Sequence, residues 1–186
     1  MKKFELTTES ITNEAGKKLF RIKALIDFGD VKAGELGGYV EKEGNVSQDD
    51  NAWVSGDAEV FGNAKVSGNA LVFGDAKVSG NALVFGDAKV SGRALVFGNA
   101  RVSGDALISD NADYALVQGF GIKFRCTTFY RGKNKKIMVN CGCFHGDLEE
   151  FRKQVKETRS GKIAKEYLMI ADLMEYHFVS EDSSDE

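Results

Sequence analysis

The sequence predicts a mainly β protein built on a solenoid, a coil of short strands stacked along one axis with a distinct cap at each end. Three observations predict it. A six-residue unit, Val-(Ser/Phe)-Gly-(Asn/Asp)-Ala-x, runs unbroken through the middle third of the chain in ten copies, beginning at Val54, Val60, Val66, Val72, Val78, Val84, Val90, Val96, Val102 and Ile108. Ala holds the fifth place in all ten, while Gly holds the third and Asn or Asp the fourth in nine each. No copy is large enough to bury its own apolar side chains, so copies must stack to gain a core.

Each unit reads as a short strand and a corner. In extended backbone, side chains two apart share a face, so Ala70 and Val72 point one way and Leu71 and Phe73 the other. The Ala/Val pair recurs in nearly every copy and marks the inside. Gly74-Asp75 then turns the chain, because Gly accepts positive φ and Asp bonds back to nearby backbone. Residues 54–113 resemble the hexapeptide repeat of left-handed parallel β-helices, (Leu/Ile/Val)-(small or acidic)-x-x-(small)-x, departing from it where Phe61, Phe73, Phe85 and Phe97 fill the second place. The resemblance implies three hexads per triangular turn and about three and a third turns over 54–113. Val40 to Trp53, with Val46 and Asn51-Ala52 inside, reads as an irregular first turn carrying a two-residue slip.

A longer period overlies the hexad. Leu-Val-Phe strands alternate with Lys-Val-Ser strands from about residue 66 to 101, a twelve-residue super-repeat. With three hexads to a turn, stacked neighbours are eighteen residues apart, so Ser lies above Phe and Lys above Leu. One face then holds Trp53, Leu71/Phe73, Lys89/Ser91 and Leu107. The second holds Glu59/Phe61, Lys77/Ser79 and Leu95/Phe97; the third holds Lys65/Ser67, Leu83/Phe85 and Arg101/Ser103. Outward apolar side chains in this number drive association, since full burial of one Leu or Phe gives roughly 1.5–3 kcal/mol. Leu71, Phe73, Leu83, Phe85, Leu95 and Phe97 are therefore expected to face other subunits, a partner or the terminal segments. The family resemblance implies a homotrimer.

Composition bounds the rest. The chain has 186 residues and a net charge of −3, and the segment Ser180–Glu186 carries four of its acids, leaving +1 elsewhere. That segment, 180–186, reads as a solvated, disordered acidic tail. Lys2-Lys3 is followed by Phe4-Glu5-Leu6-Thr7 rather than an apolar run, so no signal peptide is expected, and no stretch is long enough to span a membrane. Three cysteines without framework spacing suit a reducing cytoplasm.

The ends differ from the coil. Residues 2–11 and 18–28 read as a hairpin around Asn13-Glu14-Ala15-Gly16, making 1–37 an N-terminal cap over the exposed strand edges of a coil at 38–118. Residues 119–179 read as a ββαα unit. In it, Ile122–Tyr130 and Ile137–Cys141 alternate as strands around the basic turn Arg131–Lys136. Asp147-Leu-Glu-Glu150 is a capping box opening a helix to about Arg159, and a second helix runs from about Ile163 to Phe178. Asp30–Glu41, Thr127–Arg131 and Cys141-Gly-Cys-Phe-x-Gly146 resemble segments of uncharacterised phage and prophage hexapeptide-repeat proteins. That resemblance brings no settled activity.

The residues argue against familiar chemistries of this coil. Hexapeptide acyltransferases use a His base and an extruded loop; here no His precedes His145, and 54–113 leaves no room for the loop. γ-type carbonic anhydrases need three His, and the chain has two, His145 and His177. The repeat contains no Thr for an ice-binding ladder. Cys126, Cys141, Cys143 and His145 are the candidate metal ligands, although Cys-x-Cys-x-His is not a knuckle spacing; reduced cysteines in a small β core are the other reading. A ligand site is placed in the same region, at Thr128, Tyr130, Arg131, Cys143 and His145, with the helix N-terminus and Gly142 and Gly146 offering N–H groups to an anion. The other reading of Arg131, Lys133, Lys135 and Lys136 is a solvated basic turn. The resulting expectation is a non-enzymatic, cofactor-free cytoplasmic trimer. Its C-terminal unit binds a small anionic, nucleotide-like ligand or a host protein, and neither nucleic acid nor membrane. An acyltransferase-like enzyme with an inter-subunit site, or a purely structural assembly protein, is the alternative.

Overall fold

Alternation inside each hexad sends Ala and Val inward, and all nine of these pairs from Ala58/Val60 to Ala106/Ile108 are at most 1% exposed. The computed structural model, which describes residues 2–133 and 135–178, divides into two compact units, Met1–Asn111 and Ala112–Glu186. The acidic tail read at 180–186 lies outside the described residues.

The first unit opens with three strands, β1 (Phe4–Thr12), β2 (Lys18–Ala24) and β3 (Leu36–Val40). Ten two-residue strands follow, one per hexad: β4 (Trp53–Val54), β5 (Glu59–Val60), β6 (Lys65–Val66), β7 (Leu71–Val72), β8 (Lys77–Val78), β9 (Leu83–Val84), β10 (Lys89–Val90), β11 (Leu95–Val96), β12 (Arg101–Val102) and β13 (Leu107–Ile108). They pair in parallel on three faces, β4-β7-β10-β13, β3-β5-β8-β11 and β6-β9-β12, a β-helix of about four turns. Trp53 pairs with Leu71, Lys77 with Leu95 and Lys65 with Leu83. These are the eighteen-residue partners expected for three hexads to a turn, so the chequerboard of apolar and basic strands is present. The corners stack too: Asn51 donates to Asn69, and Asn69 to Asp87, at 3.0 and 2.9 Å. The column Asp57, Asp75, Arg93 sets a cation at the position where the other corners carry Asn or Asp, under two stacked acids.

The two-residue slip is located. Val40 pairs with Val60 and Val46 with Val66, twenty residues apart, whereas Val54 pairs with Val72 at eighteen. The extra length therefore falls between Val46 and Val54, and it builds a seat for the N-terminal segment. Gln48 accepts from the Lys3 and Phe4 amides (2.8 and 3.2 Å) and donates to the Phe4 carbonyl. Lys3, 2% exposed, donates to the carbonyls of Asp50 and Ala52 at 2.7 and 2.8 Å and lies over the Phe28 ring. Trp53 is covered by Phe4 and Phe28, with ring centroids 6.2 and 5.3 Å away. The hairpin cap thus hides one of the apolar side chains the repeat leaves facing outward.

The second unit is an antiparallel sheet of β14 (Tyr114–Phe120), β15 (Arg125–Arg131), β16 (Ile137–Cys141) and β17 (Phe144–Asp147), in that order, followed by α1 (Leu148–Thr158) and α2 (Gly161–Phe178). It has two strands more than the ββαα reading. β14 follows the last hexad so closely that its apolar residues read as the end of the coil. β17, four residues long and containing Gly146, owes its strand character to pairing with β16. The capping box forms as read: Asp147 accepts from the Glu150 amide and Glu150 from the Asp147 amide. One sheet face and both helices enclose a core of Phe129, Val139, Leu148, Phe151, Val155, Tyr167, Ile170, Ala171, Met174 and Phe178. Arg152 clamps the helix pair, reaching Glu149, Asp172 and Glu175 at 2.6, 2.8 and 2.7 Å.

Candidate functional site: a basic cleft in the C-terminal unit

Strand alternation sorts the polar residues of this sheet. Thr127, Phe129 and Arg131 face the helices, and Cys126, Thr128 and Tyr130 face the other way. At the far end of β15 from the basic turn, the Arg125 side chain lies across the Cys141-Gly142-Cys143 turn. Gly142 has φ +64, and a Cβ there would run into the Arg125 guanidinium. Glycine at 142 therefore both makes the turn and leaves room for Arg125.

Beside it opens a cleft of about 420 Å³ walled by α1, the start of α2 and the β16–β17 turn. Its aromatic floor is Phe144, Phe151 and Tyr167, with Phe151 edge-on to Tyr167 at 5.9 Å and tilted on Phe144 at 5.5 Å. Its polar lining includes Lys123, Arg125 and Arg159 and contains no Asp, Glu or His. Among the described residues, none of these three cations forms an ion pair; Arg159 donates to the Thr158 carbonyl at 2.9 Å. Burial pushes the Tyr167 phenol up and the neighbouring Cys141 thiol adds to this, while the charges of Arg159 and Arg125 act in the opposite direction. Both guanidiniums are thus within electrostatic reach of one hydroxyl, which donates to the Phe120 carbonyl at 3.4 Å.

The residues singled out from sequence are placed differently. Tyr130 is fully buried; its hydroxyl accepts from Asn140 at 3.1 Å and contacts His145 Nδ1 at 3.4 Å, and that nitrogen also meets Asn140 Oδ1 at 2.9 Å. Thr128 is buried on the same sheet face. Neither Tyr130 nor Thr128 offers a surface to a ligand. Arg131 pairs with Asp113 at 3.2 Å and lies over the Phe178 ring. The α1 N-terminus is occupied by its own capping box and carries Glu149 and Glu150, which disfavour an anion there. Of the five predicted ligand residues, Cys143 lines the cleft.

The four metal candidates are divided by the pleat. Cys141 shares a face with Thr127, which donates to its sulfur at 3.1 Å, whereas Cys126 and His145 lie on the opposite face. Among the described residues no group of three or more His, Cys, Asp or Glu is placed to hold a metal ion. Burial raises the Cys126 thiol pKa, as for an inert core cysteine.

Sequence reasoning missed Lys123, Arg125, Arg159 and Tyr167 as a group. The available signal was Lys123-x-Arg125, outweighed by the denser charges at 131–136; Arg159 joins only through the helix-to-helix turn.

On the coil, Phe73, Leu95 and Phe97 are exposed, and Leu71, Leu83 and Phe85 are half-buried. Leu83 and Phe85 line a shallow groove of about 620 Å³ whose rim includes Lys65, Arg101, Glu43 and Asp49. No helix among the described residues is long and apolar enough to cross a membrane. Comparison with protein-family models and with curated proteins yields no match to this chain.

Proposed function

We propose that this protein binds a small anionic ligand without transforming it, holding a phosphate or carboxylate head in the cleft of the C-terminal unit and using the β-helix as a homotrimeric scaffold. One observation carries the reading: Lys123, Arg125 and Arg159 line one cleft with no acidic residue among its walls and no ion-pair partner among the described residues. An anion 4 Å from one such cation gains about 4 kcal/mol at an effective dielectric of 20, before desolvation is subtracted. The lining holds no His or carboxylate to serve as general base, which favours binding over turnover. The exposed Phe73, Leu95 and Phe97 favour a multimeric coil. Three linked clefts bind a multivalent target far more tightly than one. The phage-protein resemblance suggests a setting in which a host signal is sequestered.

The test is native mass spectrometry of the protein purified from its host, followed by titration with phosphorylated small molecules. A trimer with one anion per chain, lost in Arg125→Ala and accompanied by no product, supports the reading. A trimer indifferent to every anion, or one that converts the anion, overturns it.

A further inference from the structure

Resting on the cleft as an anion site, we infer that its ligand joins a planar ring to the anionic head, and that the β14–β15 hairpin tip, Gly119–Phe124, is the second wall that grips the ring. The tip is unusual in three independent respects. Ile122 and Phe124 are 75% and 68% exposed on a six-residue segment that also leaves Phe120 exposed. Phe124 has φ +46, a left-handed conformation that aromatic residues rarely adopt and that surrounding structure must hold. And Ile122 and Lys123 already line the cleft, so the tip stands at its mouth.

The same cleft has the aromatic floor of Phe144, Phe151 and Tyr167. A purely ionic ligand has no use for two apolar walls. A phosphorylated ring satisfies the whole lining: its head meets Lys123, Arg125 and Arg159, and its flat body lies between floor and tip. The base of the tip is tied to α2 by the Tyr167–Phe120 hydrogen bond, so the wall keeps its place beside the floor. Ile122, the apolar residue of the tip that lines the cleft, is then a specificity determinant, which selects for the ring rather than for charge.

The experiment is calorimetric titration of the full chain with inorganic phosphate, ribose 5-phosphate and the four ribonucleoside 5′-monophosphates. At least one nucleotide is expected to bind about tenfold or more tighter than ribose 5-phosphate, the scale of base stacking on an aromatic side chain. Ile122→Ala should lower that ratio toward one while leaving ribose 5-phosphate unchanged. As a second readout, the emission of Ile122→Trp should shift to the blue with the nucleotide and stay put with inorganic phosphate. Equal binding of nucleotide and ribose 5-phosphate by the unaltered protein overturns the ring inference and leaves the anion site standing. Binding of none of these probes overturns both.

Discussion

Gly86→Ala tests whether the corners of the coil are stacked as closely as they stand here. Gly86 has φ +73, and a Cβ on it would lie 2.8 Å from the Gly104 nitrogen, 3.2 Å from its oxygen and 3.3 Å from its Cα. All three are backbone atoms of the next turn and cannot rotate aside. Gly16 supplies the control: its φ is +70, yet nothing lies within 4 Å of its would-be Cβ. Both substitutions carry the left-handed penalty, about 1–2 kcal/mol. Only Gly86→Ala adds overpacking, about 1–3 kcal/mol. The expected losses are therefore about 1–2 kcal/mol at Gly16 and about 2–5 kcal/mol at Gly86. Urea unfolding followed by the emission of Trp53, the single tryptophan and a residue of the coil's first turn, reads both on one scale. Equal losses within about 0.5 kcal/mol would show that the corners are not in contact and refute the stacking.

Three further outcomes are expected. Burial holds the Lys3 ammonium down to about 8 from 10.5, so between those values the unfolded chain binds more protons than the folded one; stability should rise with pH through that window, by about 1–2 kcal/mol after allowance for solvent, and the rise should flatten in Lys3→Met. The cost of the buried charge is fully present below pH 8. In equilibrium dialysis, Arg125→Ala should weaken anion binding about tenfold or more, while Arg131→Ala, which breaks the pair with Asp113, should leave binding intact and lower stability by about 1 kcal/mol; the reverse pattern would return the site to the basic turn. Light scattering should show Phe97→Lys lowering the oligomer's mass, since Phe97 is 54% exposed and a charge there has no place in a subunit contact; a monomeric unaltered protein would remove the scaffold from the proposal.

The coil was legible because its information is local and repeated. Ala and Val two apart name the inside, and three hexads to a turn, the count the family resemblance implies, set which strand lies over which, down to Trp53 over Leu71. Even the slip could be read from the spacing of Val46 and Trp53. The C-terminal unit offered less. Its helices announced themselves through Asp147 and Glu150 and the Tyr167, Ile170, Met174 stripe. The cleft did not, because Arg125, Cys143 and Arg159 come from three different elements and meet only after the sheet has paired. Arg131 misled for a related reason: a cation next to a turn reads as available, and its partner Asp113 lies on the segment before β14, where no spacing rule links the two.

The mismatch between the two periods of the coil has a consequence for how such a chain can lengthen. Copying one Leu-Val-Phe/Lys-Val-Ser pair inserts twelve residues, but a full circuit takes eighteen. Each such duplication turns the exit of the chain by two-thirds of a revolution, while the alternation of apolar and basic strands on each face continues unbroken past the insertion. Only three such duplications together, thirty-six residues or two full circuits, return the exit direction. Length in this protein is thus also an angle, and evolution by duplication would move through it in coarse, discrete settings.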